Sequence, residues 1–294
     1  MNTGVERTTP YKVISIIILI ILAVLFAFPL YWIVIGAFKT SQEVMSPKPV
    51  FFPTEWTLAN FQKLFNKRTA PLFEIFGYTG PTGPAAIRWL GNTVFMTVMA
   101  MLLTCVTAAM AGYALAKKRF RGRGILFSLI VCAMALPKQV VLIPLIKEIS
   151  ALHMYDNIWA VILPTVGWPF GVFLMKQFSE SIPGEILEAA RVDGSSELRT
   201  FATIVVPMVK PGIGALAIFT FINAWNDYFL QLIMLSSSKN YTISLGIATL
   251  QAESSIDMGL LMAGAALAAL PIIIVFLIFQ KYFTQGITMG AVKG

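Results

Sequence analysis

The chain has 294 residues, 57% of them hydrophobic and only 12% charged, with a formal net charge of +8. Soluble domains carry about 25% charged residues, so this chain has too little polar surface for a water-soluble body and reads as a polytopic membrane protein. Its excess of cations tracks orientation in a bilayer rather than nucleic-acid binding, since no basic helix or aromatic RNA platform is present.

An α-helix needs about 20 residues, at about 1.5 Å each, to cross about 30 Å of hydrocarbon. Six stretches meet that requirement: Val13–Phe38, Leu90–Leu115, Ile125–Ile146, Ile158–Met175, Ile213–Leu235 and Leu260–Phe279. They are apolar all round rather than alternating, which favours helices over barrel strands. The expected fold is all-α, with six transmembrane helices in a body over 13–282, an N-terminal segment 1–12 and a tail 283–294. The first stretch exceeds the 7–15 residues of a signal-peptide core and is followed by no small-residue cleavage site, so it reads as an uncleaved span.

The connection between spans two and three carries Lys117, Lys118, Arg119, Arg121 and Arg123, and the positive-inside rule places it in the cytoplasm. Six spans then put both termini there, near Arg7, Lys12, Lys281 and Lys293, together with the connection over 181–210. The 39–88 segment falls outside; its six cations against three acids do not overturn this, because long loops obey the rule poorly. Cys105 and Cys132 lie inside spans and read as small apolar fillers. His153, the single histidine, sits in a short outer connection and reads as solvated. No nucleophile–base pair, phosphate-binding glycine loop or metal-ligand cluster is visible, so the chain carries no catalytic apparatus of its own.

Lys138 follows Pro137 inside span three, beside Gln139, and has three readings: snorkelling, pairing with an acid, or meeting an anionic substrate. The connection after span four is the least expected chemistry in the chain. Pro183 suits a helix start, Glu185 to Arg191 are mostly good helix formers, and Gly194 can take the left-handed conformation that ends a helix. Ser195 or Ser196 can cap a second helix running to about Val206, before Pro207. Glu188 and Arg191 stand three apart and can pair, while Ala189 and Ala190 leave room for another backbone. The loop is either a helix offered to a partner or a solvated amphipathic segment on the membrane.

In span five, Asn223, Asp227 and Gln231 recur every four residues, a slowly drifting polar stripe flanked by Trp225, Asn226 and Tyr228. Polar groups in a span face the bundle interior or a water-filled cavity. The stripe therefore reads as one side of a polar path through the bundle or as hydrogen bonding between helices. The outer connection after it, Ser236–Met258, holds Tyr241 and Gln251.

The string EAARVDGSSELRTFATIVVP resembles the EAA signature of ATP-binding-cassette importer permeases: Glu188-Ala189-Ala190, three residues, Gly194, nine residues, Ile204, then Val206-Pro207, with valine where leucine is usual. FPLYWIVIGAFKT (Phe28–Thr40), AGYALAKKRFRG (Ala111–Gly122), LPKQVVLIPL (Leu136–Leu145) and NAWNDYFLQLIML (Asn223–Leu235) are similar to the subfamily serving maltose and related oligosaccharides, and the chain is closer to its shorter permease. The 61–88 stretch, with GYTGPTGP, is longer than that family leads one to expect.

The resemblance implies a type I importer permease fold in a bacterial inner membrane. It implies a second permease, two cytoplasmic ATPase subunits that hold the ATP and Mg, an extracytoplasmic binding protein and an oligosaccharide substrate, with no nucleic-acid partner. Glu188, Ala189, Ala190, Arg191, Asp193 and Gly194 would couple to the ATPase. Lys138, Gln139, Asn223, Trp225, Asn226, Asp227, Tyr228 and Gln231 would border the substrate path, and Tyr241 and Gln251 would meet the binding protein. An ion-gradient transporter or channel is the alternative; it predicts paired buried acids and inverted repeats with broken helices.

Overall fold

The computed structural model describes residues 10–75, 78–253 and 257–291, without the side chains of 10, 75, 253 and 281–291. Arg7, Lys293, the Lys281 side chain and Gly77 of the GYTGPTGP stretch lie outside the described residues. In chain order the elements are α1 (Pro10–Ala37), α2 (Ser41–Val44), α3 (Ala59–Lys67), β1 (Thr69–Pro71), β2 (Glu74–Ile75), β3 (Tyr78–Thr79), β4 (Thr82–Pro84) and α4 (Ala85–Lys117). There follow α5 (Arg123–Met134), α6 (Lys138–Ala151), α7 (Trp159–Val166), α8 (Pro169–Glu180), α9 (Gly184–Val192), α10 (Glu197–Thr200), a π-helical turn (Phe201–Val205) and α11 (Val206–Met208). The last are α12 (Lys210–Asn226), α13 (Tyr228–Met234), α14 (Ile243–Glu253) and α15 (Met258–Ala291).

The chain divides into two compact units. The smaller holds residues 1–68 and 249–267. Its long helix α1 is apolar and exposed along nearly its whole length, as a lipid- or protein-facing span should be. Past its end, Thr40 caps α2 in a capping box with Glu43, and Lys63 pairs with Asp257 at 3.0 Å.

The larger unit holds residues 69–248 and 268–294. Its axis is α4, 33 residues long. Ala100, Thr104, Ala108 and Gly112 recur every four residues on one face of α4 and are all buried. In lipid no hydrophobic force drives helices together, so small residues that permit close packing do that work. At Gly112 a Cβ would lie 2.6 Å from the backbone of Met175 and Lys176. Met96, Ile162 and Met234 centre one packed cluster; Ala108, Met175 and Leu216 centre another.

Among the described residues four helical stretches are long and apolar enough to span, and there are up to six spans if each of two bent pairs is one. Three expected spans are not continuous helices; one of them, Ile158–Met175, is interrupted at Gly167-Trp168 between α7 and α8. Ile125–Ile146 is broken, with α5 and α6 meeting at 107°. Pro137 lies at that break, where it cannot donate to the helix and restricts the residue before it. Ile213–Leu235 breaks at Asp227, and α12 is instead bent by 79° from the helix that precedes it.

The 69–84 stretch adds what the all-α expectation lacked: two short antiparallel ribbons, β1 with β4 and β2 with β3. They stand at the N-terminal end of α4. There Arg88 donates to the carbonyls of Pro71 (2.5 Å) and Lys239 (2.7 Å), and Lys239 pairs with Glu74 at 3.0 Å. Asp156 accepts from the backbone N–H groups of Ser236 (2.8 Å) and Ser237 (2.9 Å) at the same end. His153 is exposed and left-handed (φ 55°), closing α6. Cys105 is half-buried beside the Ile213 carbonyl and Cys132 is exposed; both are free thiols.

Candidate functional site

At the other end of α4 the basic connection meets the loop over 181–210. Lys117 donates to the carbonyls of Glu180 (3.0 Å) and Ile182 (2.6 Å), and Lys118 pairs with Glu197. Arg191 reaches Glu197 at 3.6 Å rather than pairing with Glu188. Glu197 thus lies between two cations and joins the loop to α4.

The loop is a helix, a left-handed glycine and a second helix. Gly194 has φ +73°, its N–H donates to Arg191 (3.1 Å), and the Ser195 N–H donates to Ala190 (3.0 Å). These are the two bonds of a Schellman ending, which satisfies the last carbonyls of α9. Ser196 caps α10, its Oγ accepting from the Arg199 N–H at 3.4 Å. The second helix does not stop before Pro207 but runs on as a π turn and α11. Of the paired alanines, Ala189 is exposed while Ala190 faces the chain's own interior. Val192 and Leu198 project apolar surface beside the turn, 88% and 71% exposed. Composition around an obvious motif hid these two.

Within the spans, three interruptions of helix converge. They are Pro137-Lys138 between α5 and α6, Gly167-Trp168 between α7 and α8, and Asp227 between α12 and α13. Lys138 Nζ donates to Asn223 Oδ1 at 3.0 Å and to Asp227 Oδ2 at 3.2 Å. Asp227 Oδ1 also accepts from the Leu230 N–H at 3.4 Å, so the carboxylate both caps α13 and holds the lysine. A cavity of about 440 Å³ opens beside this cluster, bordered by Gln139, Pro164, Trp168 and Phe229. A second shares Lys138, Trp168, Asn223 and Asp227 with it and is bordered also by Phe219, Ile222 and Asn226. Irregular backbone at membrane depth is tolerated where it lines such a space.

Residues 106–289 match the family described as "Binding-protein-dependent transport system inner membrane component". The chain belongs to that family. The permease is 32% identical to the arabinooligosaccharides transport system permease protein AraQ of Bacillus subtilis, over 97% of this chain and 96% of that one. It is 30% identical to the diacetylchitobiose uptake system permease protein DasC of Streptomyces coelicolor, over 94% and 95%. In fold it is similar to a chain in the crystal structure of a bacterial transporter that imports the acidic polysaccharide alginate. The TM-score is 0.77 at 21% identity, covering 96% of the permease and 100% of that chain. Broken helices were an expected mark of an ion-gradient transporter; they occur in this permease, so the family match and not the breaks decides between the two.

The predicted stripe of span five divides in the permease. Asn223 and Asp227 face the cavity with Lys138. Gln231 does not: it is wholly buried, donating to the Ala224 carbonyl (3.2 Å) and accepting from Thr242 Oγ1 (2.6 Å). The break at Asp227 rotates it away, since a four-residue period holds only along one unbroken helix. Trp225 is buried against Phe221, and Tyr228 packs into the first core cluster. Asn226 is exposed, its amide donating to the Ile222 carbonyl at 2.9 Å. Trp168 borders both cavities and was not anticipated; its position before Pro169, at a break in a short span, was the available signal. Tyr241 is tied to Ser236 by its hydroxyl, and Gln251 is exposed on α14.

Proposed function

We propose that the permease imports an oligosaccharide across a bacterial cytoplasmic membrane as one of two permeases, driven by ATP hydrolysis on two partner ATPase subunits and supplied by an extracytoplasmic binding protein. The observation carrying this reading is the EAA loop: an exposed helix ending in a left-handed Gly194, presented by a chain that belongs to the binding-protein-dependent family. Arabinooligosaccharide and diacetylchitobiose permeases among the relatives support a saccharide cargo. Lys138, Asn223 and Asp227, with Gln139 and Asn226 beside them, border the route, while Trp225, Tyr228 and Gln231 support it from within.

ATPase closure would push on α9, and Glu197, held by Lys118 and Arg191, would pass that push to α4. Rigid-body rotation about the permease interface would then switch access from one side to the other. The basic connection around Phe120 would face the cytoplasm with both termini, and Tyr241 and Gln251 the binding protein.

The test is reconstitution of the permease with its ATPase subunits and binding protein in vesicles. Uptake and ATP hydrolysis should both require the loaded binding protein. Uptake driven by an ion gradient without ATPase subunits would overturn the reading. A cysteine at 120 should resist an impermeant reagent in intact cells while one at 239, exposed beside Glu74, is labelled; the reverse pattern would invert the orientation.

A further inference from the structure

We infer that the cavity at the three helix breaks is a subsite for an uncharged saccharide ring, stacked on Trp168 and hydrogen-bonded by Lys138, Asp227 and Asn223, which disfavours carboxylate-bearing sugars. The inference rests on the proposed oligosaccharide import and goes beyond it by selecting between neutral and acidic cargo.

Charge carries the argument first. Among the described residues that border either cavity, only Lys138 and Asp227 are charged, and they stand 3.2 Å apart. The space is therefore electrically neutral overall. An isolated lysine here would attract a uronate, but this one is already compensated. A ligand carboxylate would have to displace Asp227 from Nζ and then lie close to it, with like charges repelling.

A hydroxylated ring meets no such conflict. An ammonium has three N–H donors, and two are committed to Asn223 and Asp227, leaving one. A carboxylate has about four acceptor sites, of which Asp227 uses two, on Lys138 and the Leu230 N–H. A donor beside an acceptor matches two neighbouring sugar hydroxyls, each of which both gives and takes a hydrogen bond.

The apolar wall supplies the other half. Trp168 is half-buried at the N-terminus of α8 and borders both cavities. Phe170 packs against it at 4.9 Å between centroids, and Phe219 against Phe170 at 5.7 Å, so the indole is fixed by ring packing. The volume of the first cavity, about 440 Å³, lies in the range of small-molecule sites, which are mostly apolar with a few placed polar groups.

The test uses the purified permease–ATPase complex without binding protein, so that the cavity rather than the delivery protein is read. Maltotriose, arabinotriose and trigalacturonate are titrated by calorimetry. At least one neutral trisaccharide should bind at least tenfold more tightly than trigalacturonate. Trp168→Ala should weaken that binding at least tenfold, and Trp168→Phe should restore most of it, which separates loss of the ring from loss of folding. Asp227→Asn leaves Lys138 uncompensated and should shift the neutral-to-acidic ratio toward trigalacturonate at least tenfold. Equal or tighter binding of trigalacturonate by the unaltered complex, an unmoved ratio in Asp227→Asn, binding indifferent to Trp168→Ala, or no binding of any probe would each overturn the subsite. Failure of import itself would show separately, as ATP hydrolysis that ignores the loaded binding protein.

Discussion

The loop over 181–210 and the cavity at the helix breaks are both polar interruptions of an apolar chain, yet they are built in opposite ways. The loop is made by neighbours in sequence: Gly194 bonds Arg191, Ser195 bonds Ala190, and Ser196 caps the helix it begins. The cavity is made by residues far apart: Lys138 meets Asn223 and Asp227 across 85 and 89 positions. A contact surface for a partner has to be presented in one shape before the partner arrives, which local bonds achieve. A cavity that opens to alternate sides has to be shared among elements that move past one another, which only long-range contacts allow.

The comparison is tested most severely at Gly194. The left-handed conformation costs other residues roughly 1–2 kcal/mol, and branched ones fit it worst. Gly194→Val should lower uptake at least tenfold and weaken retention of the ATPase subunits on affinity purification, with membrane insertion unchanged. Since a Cβ there meets no atom within 4 Å, the loss would come from the turn and not from a clash. Full transport by this variant would remove the loop from coupling.

Gly112→Leu sets packing against both sites. Its Cβ would meet the Met175–Lys176 backbone at 2.6 Å, so α4 and α8 must separate. A loss on the order of 1–3 kcal/mol is expected, read as a lower midpoint of thermal unfolding in detergent. An unchanged midpoint would mean that the small-residue face is not what holds α4.

Gln231→Leu sharpens the division of the stripe. The side chain is buried and hydrogen-bonded to Ala224 and Thr242 in the interior, so stability should fall by about 0.6–2 kcal/mol while uptake per assembled complex stays the same. A changed substrate range with unchanged stability would return Gln231 to the path.

The smallest effect concerns Asp156. Burial raises its pKa, but hydrogen bonds from Ser237, Ser236 and Asn240 outweigh that and hold it below the ordinary aspartate value. A depressed folded-state pKa contributes stability above the unfolded value of about 3.9, lost as pH falls through the folded one. The difference in thermal midpoint between the permease and Asp156→Asn should hold from pH 7 to about 5 and shrink below about 4. A difference independent of pH would mean that the carboxylate's charge is not what the serines recognise.

Read from residues alone, the helical class and the helix–glycine–helix course of the EAA loop were accessible, whereas the breaks at Pro137 and Asp227 were not, since both stretches read as continuous spans. The course of the loop depends on neighbours a few positions apart: a proline without a donor, a glycine free to take φ +73°, a serine able to cap. The two ribbons over 69–84 were not accessible, because their pairs β1–β4 and β2–β3 carry no apolar alternation; nor was Val192 as an exposed knob, because composition does not say which face of a short helix turns outward. Asn223 and Asp227 were legible as a polar face, but Gln231 was assigned to it by a period that assumes one straight helix. Only tertiary structure decided that Asp227 ends one helix and begins the next, that Lys138 from another bent pair answers it, and that Trp168 completes the wall. Those choices belong to packing between distant segments, where a polar group in lipid takes whichever partner the fold brings within about 3 Å.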